Sequence, residues 1–212
     1  MGPPPPKRQY SCPLVDALRE LLLSGECLQA LSYRNVDSPK WTGWGTIANR
    51  KLTVGDSFLA EDAGRGLFAG QPFRKHDLIT IYGGELIHKS EAKSRDPTFI
   101  LHIKDSDWVV DGAAVAMGFE RVAPRWDEPH QPKQHADVSN AGLGALGNQG
   151  GKRKEDNNAK FEYVPLSNDK SLSHLPRVPV IVATRDIEEG EEIMYPYGSD
   201  APFHGKLRAP VN

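Results

Sequence analysis

The chain has 212 residues, 25% of them charged and 38% apolar, with a net charge of −2 at neutral pH. That length supports one substantial core, and the charge balance gives no electrostatic case for nucleic acid as a direct partner. The 17 prolines and 20 glycines argue against a helical bundle, since both residue types interrupt regular elements.

Residues 1–9 read as a disordered tail with a stiff polyproline start, Pro3-Pro4-Pro5-Pro6. This stretch lacks the apolar core of a signal peptide, and no apolar run in the chain reaches membrane-spanning length. The expectation is an intracellular protein with no membrane partner. Residues 10–51 form a helical and irregular flank. Within it Leu14, Ala17, Leu18, Leu21 and Leu22 recur at helical spacing, which predicts an amphipathic helix between Cys12 and Leu31, broken near Gly25. Cys12 and Cys27 are the only cysteines, and no CxxC or Cys/His cluster exists, so neither a zinc site nor a disulfide framework is expected. Around Trp41 and Trp44 no periodicity is clear.

From Leu52 the pattern changes to short strands. Leu67-Phe68-Ala69 follows a glycine turn, and Leu78-Ile79-Thr80-Ile81-Tyr82 is β-rich and ends at Gly83-Gly84. Phe99 to Ile103 and Trp108 to Val110 flank the polar turn Lys104-Asp105-Ser106-Asp107, which predicts a hairpin. Residues 120–137, with His130 and His135, read as an inserted loop, and Gly151-Lys152-Arg153-Lys154 as a solvated one. Ala159 to Val164 and Val178 to Ala183 are two further predicted strands. After the turn Asp186 to Gly190, Ile193-Met194-Tyr195 reads as a last short strand. Many short strands without intervening helices mean a mostly antiparallel β domain.

Singly, the candidate functional motifs are ordinary. Gly64-Arg65-Gly66 is a glycine-flanked turn, Tyr195 and Tyr197 alternate as on a strand face, and Asn148 sits among glycines. Their order carries more. The stretch GRGLFAGQPFRKHDLITIYGGELI (64–87), the segment GLGALGNQ…NNAKF (142–161) and the closing VATRDIEEGEEIMYPYG (182–198) resemble, in sequence, the three blocks of SET-domain protein lysine methyltransferases. The resemblance covers roughly residues 55–200. It implies a mostly β SET-domain (β-clip-like) fold, small antiparallel sheets around a threaded C-terminal pseudoknot, spanning 52–200 with an insertion at about 114–138. It also implies S-adenosylmethionine as cofactor and a lysine-containing protein tail as substrate, histone tails being the family's common targets. A nuclear location is then favoured over a cytoplasmic one.

By the same resemblance Tyr197 occupies the catalytic tyrosine position, Tyr82 lines the lysine channel, and Tyr195 stands where the family's Phe or Tyr influences methyl number. A hydroxyl there favours mono- or dimethylation. Gly64, Arg65 and Gly66 would bind the cofactor through their backbone, Asn148 and Gln149 would take its amino-acid and adenine ends, and Asn158 would be a structural hydrogen bonder. Residues 201–212 would close the site, with Phe203 as an aromatic lid or simply a packed terminal residue. The family's Asn-His pair reads Asn148-Gln149 here, and Gly150 replaces the following serine. In the inserted loop Trp126 is either a substrate contact or a packed aromatic. The glutamates Glu188-Glu189 and Glu191-Glu192 would suit a basic tail, or form a solvated turn.

The chemistry asks for this kind of site. A lysine ammonium, with a pKa of about 10.4, must lose its proton before it can attack, and an apolar channel disfavours its charged form. Alignment of amine and methyl group can then supply up to roughly 7–11 kcal/mol of barrier reduction. Two other readings stay open: a SET-fold protein that binds a peptide without catalysis, and an unrelated β-rich interaction domain.

Overall fold

The computed structural model describes residues 13–23, 52–59, 65–116, 142–150, 154–166, 169–172 and 174–197. Helix α1 (Pro13–Leu23) precedes β1 (Leu52–Asp56), β2 (Arg65–Ala69), β3 (Leu78–Ile81) and β4 (Glu85–His88). One turn of helix, α2 (Lys89–Ala92), leads to β5 (Ile100–His102), β6 (Trp108–Asp111), β7 (Ala159–Val164) and β8 (Val178–Ala183). Among the described residues the strands make three small sheets, β1-β2, β3-β8-β7 and β4-β6-β5, and every pairing is antiparallel.

Helix α1 starts on Pro13, whose fixed φ and missing N–H suit a first helical position. Its buried face is Val15, Leu18, Leu21 and Leu22, whereas Ala17 is exposed. The apolar stripe is therefore rotated from the expected one, since the larger Val15 takes the inward position. This face joins Leu78, Ile81, Tyr82, Leu86 and Val110 in one apolar cluster. Arg19 lies 5.3 Å from the centre of the Trp108 ring, a cation–π contact that ties the helix to β6. The helix is thus part of the core and not a loose flank.

The hairpin β5-β6 forms as its sequence predicts, with Asp105 of the turn at φ 58°, a left-handed position that aspartate tolerates. The β-rich run Leu78–Tyr82 forms β3, and beyond Gly83-Gly84 the chain continues into β4, a strand of a different sheet not anticipated from the sequence. Tyr82 N–H bonds the Pro179 carbonyl at 2.9 Å, Gly83 N–H that of Gly142 at 2.9 Å, and Gly84 N–H that of Leu22 at 3.0 Å. Gly84 has φ 149°, and a Cβ there would lie 2.2 Å from the Asp111 carbonyl oxygen, so glycine is required where the chain changes sheets.

The closing segment differs from the expected strand Ile193–Tyr195. Residues 191–195 join no sheet and make only isolated bridges, Glu192 with Phe68 and Met194 with Asn148. They run between β2 on one side and residues 148 and 158–159 on the other: Ile193 N–H bonds the Leu67 carbonyl at 2.7 Å, and Asn158 and Ala159 N–H both bond that of Met194. A second apolar cluster, with Leu67, Phe73, Ile79, Leu143, Ile181, Ile187, Ile193 and Tyr195, packs around this passage. The readings of Cys12, Cys27, Trp41, Trp44, Trp126, His130, His135, Gly64 and Phe203, and most of the inserted loop, lie outside the described residues.

Two substitutions probe this arrangement. Leu18, fully buried, is expected to cost about 2–5 kcal/mol when changed to alanine, read as a lower denaturation midpoint. A loss under 0.5 kcal/mol would mean that α1 does not dock on the core in solution. His76, in the turn before β3, holds φ 74°, which costs a non-glycine residue roughly 1–2 kcal/mol. His76→Gly is therefore expected to raise the melting temperature by about 1–3 °C, after the entropic cost of glycine.

Candidate active site

Tyr82, at the end of β3, and Tyr195 and Tyr197, in the closing segment, are brought together through a fourth aromatic. The Phe161 ring of β7 stands 6.0 Å from that of Tyr82 and 4.7 Å from that of Tyr195, and the rings of Tyr195 and Tyr197 are 5.9 Å apart. All three hydroxyls donate to main-chain carbonyls: Tyr82 to Phe99 at 2.8 Å, Tyr195 to Gly144, and Tyr197 to Gly147 at 2.9 Å. Residues 142–147 can supply the last two carbonyls because they lie along the end of β3, with Leu143 N–H on the Thr80 hydroxyl at 3.3 Å. Each phenolic oxygen that has given its hydrogen to a carbonyl keeps its lone pairs for an incoming N–H.

Tyr195 is 1% exposed, and burial, aided by the neighbouring Tyr197 and Tyr82, pushes its hydroxyl pKa well above the ordinary tyrosine value. Tyr82 is raised for the same first reason, with Tyr197 and Asp111 adding. Tyr197 is 39% exposed as a residue, but its hydroxyl end turns inward, and burial plus the Glu192 carboxylate push its pKa up to about 12. A tyrosine is already neutral at physiological pH, and these shifts extend the neutral form further into the alkaline range.

Beside them lies a polar group centred on Glu192, which is 1% exposed. Its Oε1 accepts from the Ser57 hydroxyl at 2.8 Å and from Asn148 Nδ2 at 3.0 Å, and its Oε2 from the Phe58 N–H at 2.8 Å. Asn148 Nδ2 also donates to the Arg65 carbonyl at 2.9 Å. Arg65 and Gly66 lie in strand β2 and not in the turn expected of them. A Cβ on Gly66 would sit 2.3 Å from Glu192 Oε1, so the missing side chain is what lets the carboxylate lie against β2. Nη1 of Arg65 is buried and has no hydrogen-bond partner among the described residues. Asn158, 2% exposed, bonds the Glu192 carbonyl at 2.7 Å and receives the Met194 N–H at 2.8 Å, which makes it the structural clamp expected of it. Among the described residues no three His, Cys, Asp or Glu side chains gather to hold a metal ion.

The SET-domain model matches residues 64–198, well over half of the chain. The chain belongs to the SET-domain family. A zebrafish (Danio rerio) N-lysine methyltransferase, KMT5A-A, is 28% identical over 138 residues, 65% of this chain and 33% of that protein. The chain therefore spans about a third of the length of that relative. Among solved structures, ctPRC2 in an autoinhibited conformation bound to S-adenosylmethionine is similar over 73% of this chain and 16% of that one, with TM-score 0.50 and 19% identity. A humanized mutant of the Chaetomium thermophilum Polycomb Repressive Complex 2 bound to the inhibitor GSK126 covers the same shares at TM-score 0.48 and 20% identity. At such identity the likeness to ctPRC2 concerns the fold, which is the SET fold of small antiparallel sheets around a threaded closing segment.

In this SET domain the structure brings Tyr82, Tyr195 and Tyr197 to one cluster and Arg65, Gly66 and Asn148 to an adjoining one. Gln149 follows Asn148 and is half-buried. Two contributors were not anticipated from the sequence: Phe161, which joins the tyrosines, and Glu192. The Glu188–Glu192 turn is only partly the solvated acidic turn expected. Glu188 and Glu189 are exposed, Glu191 pairs with Arg185, and Glu192 is buried. Neither Glu191 nor Glu192 is thus available to a basic tail. Glu192 is buried because the closing segment crosses β2 opposite Gly66, a contact between residues far apart in sequence.

The raised phenol pKa values set the sign of an alkaline effect. Above pH of about 10 the unfolded chain ionises its tyrosines while the folded chain keeps the protons, so stability is full below that pH and falls as pH rises toward 12. The melting temperature is expected to drop between pH 9 and 11, with a shallower slope in Tyr197→Phe. An identical slope in the variant would show that Tyr197 ionises at its ordinary value.

Proposed function

We propose that this protein is an S-adenosylmethionine-dependent protein lysine N-methyltransferase that adds one or two methyl groups to lysines of histone tails. The observation that carries the reading is the trio of neutral tyrosine hydroxyls, each with its hydrogen given to a carbonyl. Their oxygens are left as acceptors, suited to aim a lysine amine. Tyr197 is the catalytic tyrosine, Tyr82 flanks the channel, and Tyr195 restricts the space for a third methyl group.

The residues present fit the cofactor. The buried, unpartnered Arg65 Nη1 is suited to a carboxylate, and the amide of Asn148, bonded to the Arg65 carbonyl, can meet the amino group of the same amino-acid end. Gly66 permits close approach, while Gly64, Gln149 and Phe203 are assigned to the cofactor by family resemblance. Bound there, the cofactor supplies a methyl group on a sulfonium, which a deprotonated amine accepts without acid assistance. The chain's own part is to exclude water from the amine, hold it in line, and keep Tyr197 protonated. The SET domain is assigned to 52–200, with substrate choice in the insertion at about 114–138 and closure by 201–212. Similarity to the zebrafish N-lysine methyltransferase supports the reading. Histone substrates suggest a nuclear location, and no described helix is long and apolar enough to cross a membrane.

Gln149 in place of the family's histidine favours a second reading, a SET-fold peptide binder without catalysis. Calorimetric titration with S-adenosylhomocysteine, followed by labelled-methyl transfer to histones, separates the two. One-to-one binding and transfer are expected, with Tyr197→Phe retaining the ligand and losing about 100-fold in rate. Binding without transfer to any protein substrate would support the peptide binder, and no binding at millimolar ligand would overturn both cofactor and activity. A mainly trimethylated product would overturn the role given to Tyr195.

A further inference from the structure

An asparagine amide can face a ligand with its oxygen or with its nitrogen, and the two choices recognise opposite partners. At Asn148 the choice is made from behind. Nδ2 is met by the Arg65 carbonyl at 2.9 Å and by Glu192 Oε1 at 3.0 Å, and neither group has a hydrogen to donate. A flipped amide would set its oxygen against both and leave two acceptors unsatisfied, so the network fixes the orientation. Both amide hydrogens are consumed on this side. Oδ1 is the end left for a ligand, and it can only accept.

Glu192 cannot turn away from this duty. Its other bonds come from the Ser57 hydroxyl and the Phe58 N–H, and its carbonyl is held by Asn158 at 2.7 Å. Gly66 closes the remaining side, leaving no room even for a Cβ. The carboxylate therefore faces Asn148 with a fixed oxygen. A neutral glutamine in its place could present either an oxygen or an NH2 to the amide, and the bias would be lost.

We propose that Glu192 is a positioning residue: it fixes the Asn148 amide with its oxygen outward, so that the site reads the ammonium group of the cofactor's amino-acid end. This rests on the cofactor reading above and goes beyond it, since it assigns opposite tasks to two neighbours. Asn148 takes the cation through Glu192, and the Arg65 guanidinium takes the carboxylate.

The test compares S-adenosylhomocysteine with its deaminated analogue, in which hydrogen replaces the α-amino group, by calorimetry on the full chain. The wild type is expected to prefer the aminated ligand by at least about 10-fold, the range of a hydrogen bond to a charged group. In Glu192→Gln the affinity for S-adenosylhomocysteine falls while that for the analogue barely changes, and the preference collapses to within about 3-fold. If both ligands weaken equally and the ratio survives, Glu192 only supports the fold and the proposal is overturned. Asn148→Asp gives an independent reading should Glu192→Gln fail to fold. An aspartate cannot donate to Glu192, so binding is expected to fall more than about 10-fold, although a bare carboxylate facing an ammonium would otherwise bind more tightly. A gain in affinity would overturn the proposal. If the wild type binds neither ligand, the cofactor reading itself fails, an outcome distinct from an unchanged ratio in the variant.

Discussion

Residues 191–195 occupy the interior as extended chain without belonging to a sheet, and the site depends on how their backbone is satisfied. A buried strand that lacks sheet neighbours would leave a row of polar groups unpaired, at a cost of about 1–3 kcal/mol each. Here the partners come from separate parts of the sequence: Leu67 takes the Ile193 N–H, Asn148 the Tyr195 N–H, and Asn158 takes the Met194 N–H while donating to the Glu192 carbonyl. Only when β2, the 142–150 segment and the start of β7 are all in place is the passage fully bonded. The converse holds as well, because each of those pieces makes its bonds to this passage. Residues 66, 82, 148 and 197 are assembled by that mutual dependence, far apart as they are along the chain.

The structure also holds a buried carboxylate, Glu192, and, among the described residues, a buried guanidinium nitrogen without a partner, Arg65 Nη1. An uncompensated buried charge is expensive, and the two ends are treated differently. Glu192 receives three hydrogen bonds from Ser57, Phe58 and Asn148, so its oxygens are provided for within the fold. Arg65 Nη1 is not, although the backbone of Arg65 is tightly held in β2 and by Asn148. A buried donor left without a partner is a cost that a bound anion would remove.

How much of this could be read in the sequence depended on whether the signal was local. The hairpin β5-β6 was legible because its turn residues and flanking apolar runs lie within a dozen positions. Strands β2, β3, β7 and β8 were legible from their β-branched and aromatic content. Strand β4 was missed because Gly83-Gly84 looked like the end of an element, whereas the pair is a joint at which the chain moves from one sheet to another. The face of α1 was misjudged by one position because Ala17 and Val15 both count as apolar, and only packing against Ile81 and Leu86 decides which is inside. Tyr82, Tyr195 and Tyr197 were found through order along the chain. Glu192 was read as solvated because adjacent glutamates give no local hint that one is buried. Its partners Ser57 and Asn148 stand 135 and 44 positions away.

On the reading proposed above, the tyrosines explain why so many short strands serve a lysine-binding site. A channel for a lysine must be apolar enough to favour the neutral amine, yet it needs polar atoms at its end to orient that amine. Phenols meet both demands if they stay protonated, because an ionised phenolate would hold the ammonium in its charged, unreactive form. Their ordinary pKa already ensures that near neutral pH, and burial, with the Glu192 carboxylate adding at Tyr197, raises it further. The hydroxyl hydrogens are then drawn off by the carbonyls of Phe99, Gly144 and Gly147, the first two of which also accept the N–H groups of Gly112 and Gly147. In the loop and 3₁₀ backbone at 97–99 and 144–147 these carbonyls use a further lone pair for a side chain. That further bond is what orients the buried tyrosines and leaves their oxygens as acceptors.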